Sequence, residues 1–188
     1  MKQKIIVAVT GASGAIYAAK LIDLLQSQKE RVEEIALIFS ENGRKVWAFE
    51  QGPVRQFFAP VIEYNNADMF SPAASGSAAY STMIVVPCTM GTLGRIATGT
   101  SIDLIGRAAD VMLKERRKLI LVPRELPYNL IHIENMRTVT LAGGIILPAS
   151  PSFYSLPGSI DELVLTVVHR ILDTAGIEVN HYRWGTKG

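Results

Sequence analysis

Short apolar, β-branched runs recur along the chain, and each gives way to a stretch with helical spacing. Lys4–Val9 leads into Ala15–Gln28, and Glu34–Phe39 leads into Glu41–Gln51. Met83–Pro87 leads into Gly91–Arg116, with a break at Gly99–Ser101. Lys118–Val122 leads into Asn129–Leu141, and Gly144–Leu147 leads towards Ser159–Ala175. Strands that read as continuous apolar runs are covered on both faces, and β/α alternation implies parallel pairing with right-handed crossovers. The pattern predicts a single α/β domain over residues 1–188, a Rossmann-like doubly wound parallel sheet of about five or six strands.

The stretch Gly52–Ser77 breaks the pattern. It holds Pro53, Pro60 and Pro72 and the small-residue run Ala73–Ser77, and reads as a long functional or disordered loop. The stretch after Gly176 carries His181, Tyr182, Arg183 and Trp184, which suggests docking onto another surface.

Ligands of parallel sheets collect beyond the carboxyl ends of the strands. That rule selects Thr10–Gly14, Ser40, Cys88–Thr92, Pro123–Glu125 and Pro148–Tyr154. In Thr10-Gly11-Ala12-Ser13-Gly14 the glycines permit a tight turn, and free amides at a helix start face an anion. Position 16 is Ile16 and strand two ends on Ser40, so a dinucleotide fingerprint is incomplete and a mononucleotide phosphate fits better. Thr89-Met90-Gly91-Thr92 is a second loop of hydroxyls and amides, equally readable as a helix cap. Arg124-Glu125 follows a strand directly, where it is either a site or a surface ion pair. Arg107 and Lys114, seven apart on one helix, can join Arg124 in a cationic cluster for a phosphate leaving group, or can lie on a solvated face. Tyr154 and Arg170 can hold phosphate oxygens, the latter bidentately. His132 and His169 have no second ligand at metal spacing, so no metal is expected.

Composition narrows the field without adding chemistry. The 188 residues carry a net charge of +2, too near neutral to point to nucleic acid or a membrane surface. One cysteine, Cys88, excludes an internal disulfide, and the five-residue apolar run Ile5–Val9 is too short for a signal core. A reducing, cytoplasmic setting is expected.

Taken together, Thr10–Tyr17 (TGASGAIY), Ala74–Ser77 (ASGS), Pro87–Thr92 (PCTMGT), Arg107–Arg116 (RAADVMLKER), Val122–Glu125 (VPRE), His132–Met136 (HIENM), Phe153-Tyr154 and Arg183-Trp184-Gly185 resemble the flavin prenyltransferase family. The resemblance spans nearly the whole chain, and RAADVMLKER followed by VPRE is its most specific part. It implies a metal-independent transfer of a dimethylallyl group from dimethylallyl monophosphate to N5 and then C6 of reduced FMN. The prenylated FMN would serve a separate decarboxylase, in ubiquinone biosynthesis or aromatic acid decarboxylation. It also implies a homo-oligomer, often a dodecamer.

Residue by residue, the resemblance assigns Gly11, Ala12, Ser13, Ser40, Thr89, Met90, Gly91, Thr92 and Arg124 to the flavin. It assigns Tyr154 and Arg170 to the prenyl phosphate, with Lys114 and Glu125 nearby. Ser13, Glu50 and Glu125 would handle protons, Ser75 and Arg107 would line the site, and Trp184 would stabilise the allylic cation. The run Ser155-Leu156-Pro157 departs from the family, and Arg55–Phe70 matches it poorly, which leaves Met69 and Phe70 unassigned. Two other classes compete: a redox decarboxylase acting on a cysteine-derived substrate, which would want a histidine after the first helices, and a non-catalytic flavin-binding subunit, which would not need Lys114, Glu125 and Arg170 together. A short-chain dehydrogenase is disfavoured, because Tyr17-Ala18-Ala19-Lys20 has the wrong Tyr–Lys spacing.

Overall fold

Six parallel strands form one sheet in the order β3-β2-β1-β4-β5-β6, in a computed structural model that describes residues 2–185. The strands are β1 (Gln3–Val9), β2 (Val32–Phe39), β3 (Val61–Asn65), β4 (Thr82–Cys88), β5 (Lys118–Pro123) and β6 (Ile145–Ile146). The helices are α1 (Ala15–Ser27), α2 (Glu41–Gln51), α3 (Met90–Ala97), α4 (Leu104–Lys114), α5 (Leu130–Leu141) and α6 (Ile160–Ala175). The strand order reverses between β1 and β4, and such a reversal opens a crevice above the two strands.

Alternation along the central strands loads both faces. Ile5, Val7 and Val9 of β1 pack with α1, α6 and Trp47 of α2, while Ile6 and Ala8 pack with α3 and α4. Each fully buried aliphatic side chain of this kind contributes about 1.5–3 kcal/mol. Among the described residues no helix is long and apolar enough to cross a membrane.

The break expected at Gly99–Ser101 separates α3 from α4. The long loop was the main error. Its middle is the edge strand β3, paired to β2 from Ile35↔Val61 to Phe39↔Asn65, and its end holds two 3-10 turns. Val61-Ile62-Glu63-Tyr64-Asn65 is short and half polar, as an edge strand exposed on one side should be, so it gives no apolar run to find.

Helix capping links the fold to the strand ends. Ser40, Thr89, Asp103, Asn129 and Ser159 each accept a backbone N–H at the start of α2, α3, α4, α5 and α6. His132 completes the α5 cap as a capping box, which gives this exposed-face histidine a structural task. Only α1 has no cap of its own, because Gly14 stands at its N-cap with φ 115°.

Candidate functional site at the carboxyl edge of the sheet

The loops after β1 and β4 are tied together by Thr10, which is 2% exposed. Its hydroxyl donates to the Pro87 carbonyl at 2.7 Å and accepts from the Thr89 amide at 2.9 Å. The crevice at the strand reversal therefore has a fixed width. Gly11 is required by packing here, since a Cβ at that position would lie 2.6 Å from Cβ of Asn42.

The start of α1 is occupied from a distance. The Glu50 carboxylate, at the end of α2, accepts the Gly14 amide at 2.9 Å and the Ala15 amide at 2.8 Å. These are two of the free amides that the sequence offered to a phosphate, so the helix end is already filled by an anion of the protein itself. Partial burial works against the charged form of Glu50, but bonds from the Ser13 side chain and the Gly14 and Ala15 amides, with the nearby Arg124 charge, outweigh it and hold the carboxyl below its ordinary range. The amides of Ala12 and Ser13 meet no acceptor among the described residues and stay open to a ligand.

Arg124 leans back over this loop, its Nε donating to the Ser13 carbonyl at 3.0 Å. Ser13, Glu50 and Arg124 thus form one cluster. Neighbouring Tyr17 has its phenol pushed up by burial, with Arg124 pulling the other way. On the β4 side, the Thr89 hydroxyl accepts the Thr92 amide at 3.1 Å and donates to the Thr92 hydroxyl at 2.9 Å. That accounting leaves the hydroxyl proton of Ser40, whose oxygen accepts the Gly43 amide, free to donate. Gly11–Ser13, Ser40, Thr89–Thr92 and Arg124 follow β1, β2, β4 and β5, which are four adjacent strands.

A second concavity adjoins the edge strand β6. Its volume is about 640 Å³, and Tyr154, Arg170, Trp184, Ser152 and His169 are among its walls. The Ala149 amide donates to the Pro123 carbonyl at 3.0 Å, which fastens the floor of this cavity to the end of β5 beside Arg124. Tyr154 and Trp184 rings meet at 4.7 Å. Among the described residues no carboxylate pairs with the Arg170 guanidinium, although every ion pair nearby is satisfied. An arginine so placed can seat an anion.

Within one chain, Lys114, Arg107, Ser75 and Glu125 do not join the Ser13–Glu50–Arg124 cluster. Lys114 closes α4 and precedes β5, so it lies at the amino edge of the sheet, about 20 Å from the β5 carboxyl end for six residues of strand. There it pairs with Glu115 at 3.0 Å, and in one chain it does not join Arg124 or Glu125. Arg107 binds the Ala74 carbonyl at 3.2 Å and Asp110 at 2.8 Å, and Ser75 pairs with Ser77 at 2.9 Å. The turn that carries Ser75 packs on Glu115 and Arg117, again towards the amino edge. Glu125 is exposed, its carboxylate accepting its own neighbour's amide at Leu126 (3.0 Å). Finally, the stretch after Gly176 docks on α6 of its own chain: Asp173 receives His181 at 3.2 Å and Arg183 at 2.7 Å. The sequence named His181 in this docking stretch but gave no signal for Asp173, its partner on α6.

Comparison with known proteins adds family. The flavoprotein family model matches residues 1–172. A flavin prenyltransferase UbiX of Methanocaldococcus jannaschii is 45% identical, over 97% of this chain and 99% of its own. A dodecameric FMN-dependent UbiX-like decarboxylase from Escherichia coli O157:H7 superposes with TM-score 0.90 at 40% identity, covering 98% of this chain and 100% of the other. AnUbiX (PadA1), solved in complex with FMN and dimethylallyl pyrophosphate, gives TM-score 0.82 at 39% identity, over 97% of this chain and 100% of the other.

Proposed function

The chain belongs to the flavin prenyltransferase family of flavoproteins, and from that premise we propose how its residues divide the work of joining a dimethylallyl group to reduced FMN. The donor is dimethylallyl monophosphate, and the acceptor atoms are N5 and then C6 of the flavin. Reduced FMN supplies the electron-rich ring, and the protein supplies anion seats, π faces and a proton carrier.

Gly11, Ala12, Ser13, Ser40, Thr89, Met90, Gly91, Thr92 and Arg124 hold the flavin above the β1/β4 reversal. The open amides of Ala12 and Ser13 and the Arg124 charge are suited to a phosphate or a ring oxygen. Tyr154 and Arg170 take the phosphate of the prenyl donor. Trp184 and Tyr154 present ring faces to the allylic cation formed as phosphate departs. Ser13 with Glu50 is the best-supported proton carrier, because the serine hydroxyl already donates to a carboxylate held in its ionised form. Glu125, with no charged partner among the described residues, is the alternative carrier.

The observation that carries this reading is the convergence of Tyr154, Trp184 and the unpaired Arg170 on one cavity beside Arg124. Lys114, Arg107 and Ser75 can serve such a site only from a second copy, so a homo-oligomer that brings amino and carboxyl edges together belongs to the proposal. Exposed Leu130, Ile131 and Leu141 along α5, with Leu126 in the loop before it, give such an assembly an apolar face to bury. The reaction proceeds without a metal, in the cytoplasm, and the product passes to a decarboxylase that uses prenylated FMN. The deciding experiment incubates the protein anaerobically with reduced FMN and dimethylallyl monophosphate and records the mass and absorbance of the released flavin. A dimethylallyl adduct is expected, and unaltered FMN overturns the proposal.

A further inference from the structure

The last turn of α6 carries a carboxylate that no step above employs. The Asp173 side chain is 14% exposed and receives three contacts from the C-terminal segment. One of its oxygens takes Arg183 Nη2 at 2.7 Å, the other takes Arg183 Nη1 at 3.3 Å, and His181 Nε2 lies 3.2 Å away. Burial opposes the charge on Asp173, but the His181 and Arg183 contacts prevail and hold the carboxyl below its ordinary range.

His181 itself is 9% exposed at its side chain and is held on all sides. Its Nδ1 faces the Tyr182 carbonyl at 2.7 Å while Nε2 faces Asp173, so both ring nitrogens meet oxygen partners. The ring stacks on His169 at 4.6 Å and 17°. His169 is pushed down by burial first and by its His181 neighbour second, which keeps it a neutral platform. One residue beyond Arg183, Trp184 reaches Tyr154 across the mouth of the cavity.

We propose that Asp173 is a positioning residue: by clamping His181 and Arg183 to α6 it fixes the C-terminal segment in the one arrangement that sets Trp184 against Tyr154. Ring contact at 4.7 Å between two residues that are 76% and 69% exposed has little burial to hold it in place. The clamp supplies the fixation instead. This inference rests on the reading that Trp184 and Tyr154 serve the prenyl transfer.

The test uses the full chain with Asp173→Asn, which keeps the side-chain shape but removes the charge, and His181→Gln as an independent cut of the same clamp. Trypsin cleavage after Arg183, followed by mass spectrometry of the released peptide, reports docking directly. Single-turnover formation of prenylated FMN reports positioning, and FMN affinity reports the integrity of the flavin loops. Both variants are expected to speed cleavage about 10-fold and to slow transfer at saturating donor by about 10-fold or more, with FMN affinity at the parent value. Asp173→Asn combined with Trp184→Ala should be no slower than Trp184→Ala alone, because both lose the same ring contact. Parent-like cleavage, or faster cleavage with parent-like transfer, overturns the proposal. If Trp184→Ala itself transfers at the parent rate, the fault lies in the role given to Trp184, and the cleavage rates still report whether the clamp exists.

Discussion

Replacing Glu50 by alanine removes the carboxylate that caps the start of α1. Two amide donors, Gly14 and Ala15, then lose acceptors at 2.9 and 2.8 Å, at a helix whose own N-cap is a glycine with no side chain to replace them. Loss of a cap costs about 1 kcal/mol, within a range of about 0.5–2, and the charge–dipole part adds a few tenths. A total of about 1–2 kcal/mol, at about 2–4 °C per kcal/mol for a domain of this size, predicts a melting temperature about 2–8 °C below the parent at neutral pH. Glu50→Gln keeps one acceptor oxygen and should fall about half as far. The acid dependence has a definite sign. The folded-state carboxyl lies below its ordinary value of 4.5, so its contribution is complete above that value and is lost as pH falls through the lowered folded-state value. The gap between parent and Glu50→Gln should therefore close on the acid side and stay constant above it. Circular dichroism melts at one protein concentration across that range measure both quantities. A parent-like melting temperature for Glu50→Ala, or a gap that persists unchanged into acid, would refute the capping argument. A rise of about 10-fold in FMN affinity would refute it in another way, by showing that Glu50 competes with the flavin phosphate for the same amides.

Arg170→Ala or Tyr154→Phe should weaken the prenyl phosphate while FMN remains bound. A charge-assisted arginine contact is worth about 1.5–3 kcal/mol, or roughly 10- to 150-fold in affinity, which isothermal titration with dimethylallyl monophosphate and then with FMN can separate. Ser13→Ala and Glu50→Gln should each slow adduct formation by about 10²–10⁴ if they carry the proton, and Glu125→Gln should be slowed that much only if it is the carrier instead. Transfer should proceed at an unchanged rate after dialysis against a chelator, measured by the absorbance of the adduct. Sedimentation at micromolar concentration should show a closed oligomer, and a stable monomer that still transfers the prenyl group would remove Lys114, Arg107 and Ser75 from the site.

The elements that the sequence declared were those whose stability is local or two-sided. Glu41–Gln51 carries its cap, Ser40, immediately ahead of it, and the buried strands β1, β2, β4 and β5 each contain an apolar run of four or more residues. The α3/α4 break was legible because Thr98–Asp103 contains a glycine at φ 68° and ends in an aspartate cap. What stayed hidden depends on partners far away in sequence. Nothing near Gly14 announces that its amide is taken by a residue 36 positions on, or that Thr10 bonds Pro87 and Thr89. The strand rule named the loops correctly but treated their amides as vacant. Equally, a seven-residue spacing put Arg107 and Lys114 on one helix without saying which edge of the sheet that helix ends on.

The two halves of the site are consequently held by different means, and that difference orders their sensitivity to change. The flavin side is made from the ends of buried strands, cross-tied by the 2% exposed Thr10 and closed by Glu50, so disturbing it disturbs folding as well. The prenyl side is assembled from exposed residues, Tyr154, Arg170 and Trp184, and its arrangement depends on the Asp173 clamp and the Pro123–Ala149 backbone bond. Few buried apolar contacts hold those groups, and segments of that kind open at low free-energy cost. On the proposed division of the site, a segment that opens cheaply would admit the small phosphate ester, while the flavin loops keep their width. Stability selects the residues of the first half, and turnover selects those of the second.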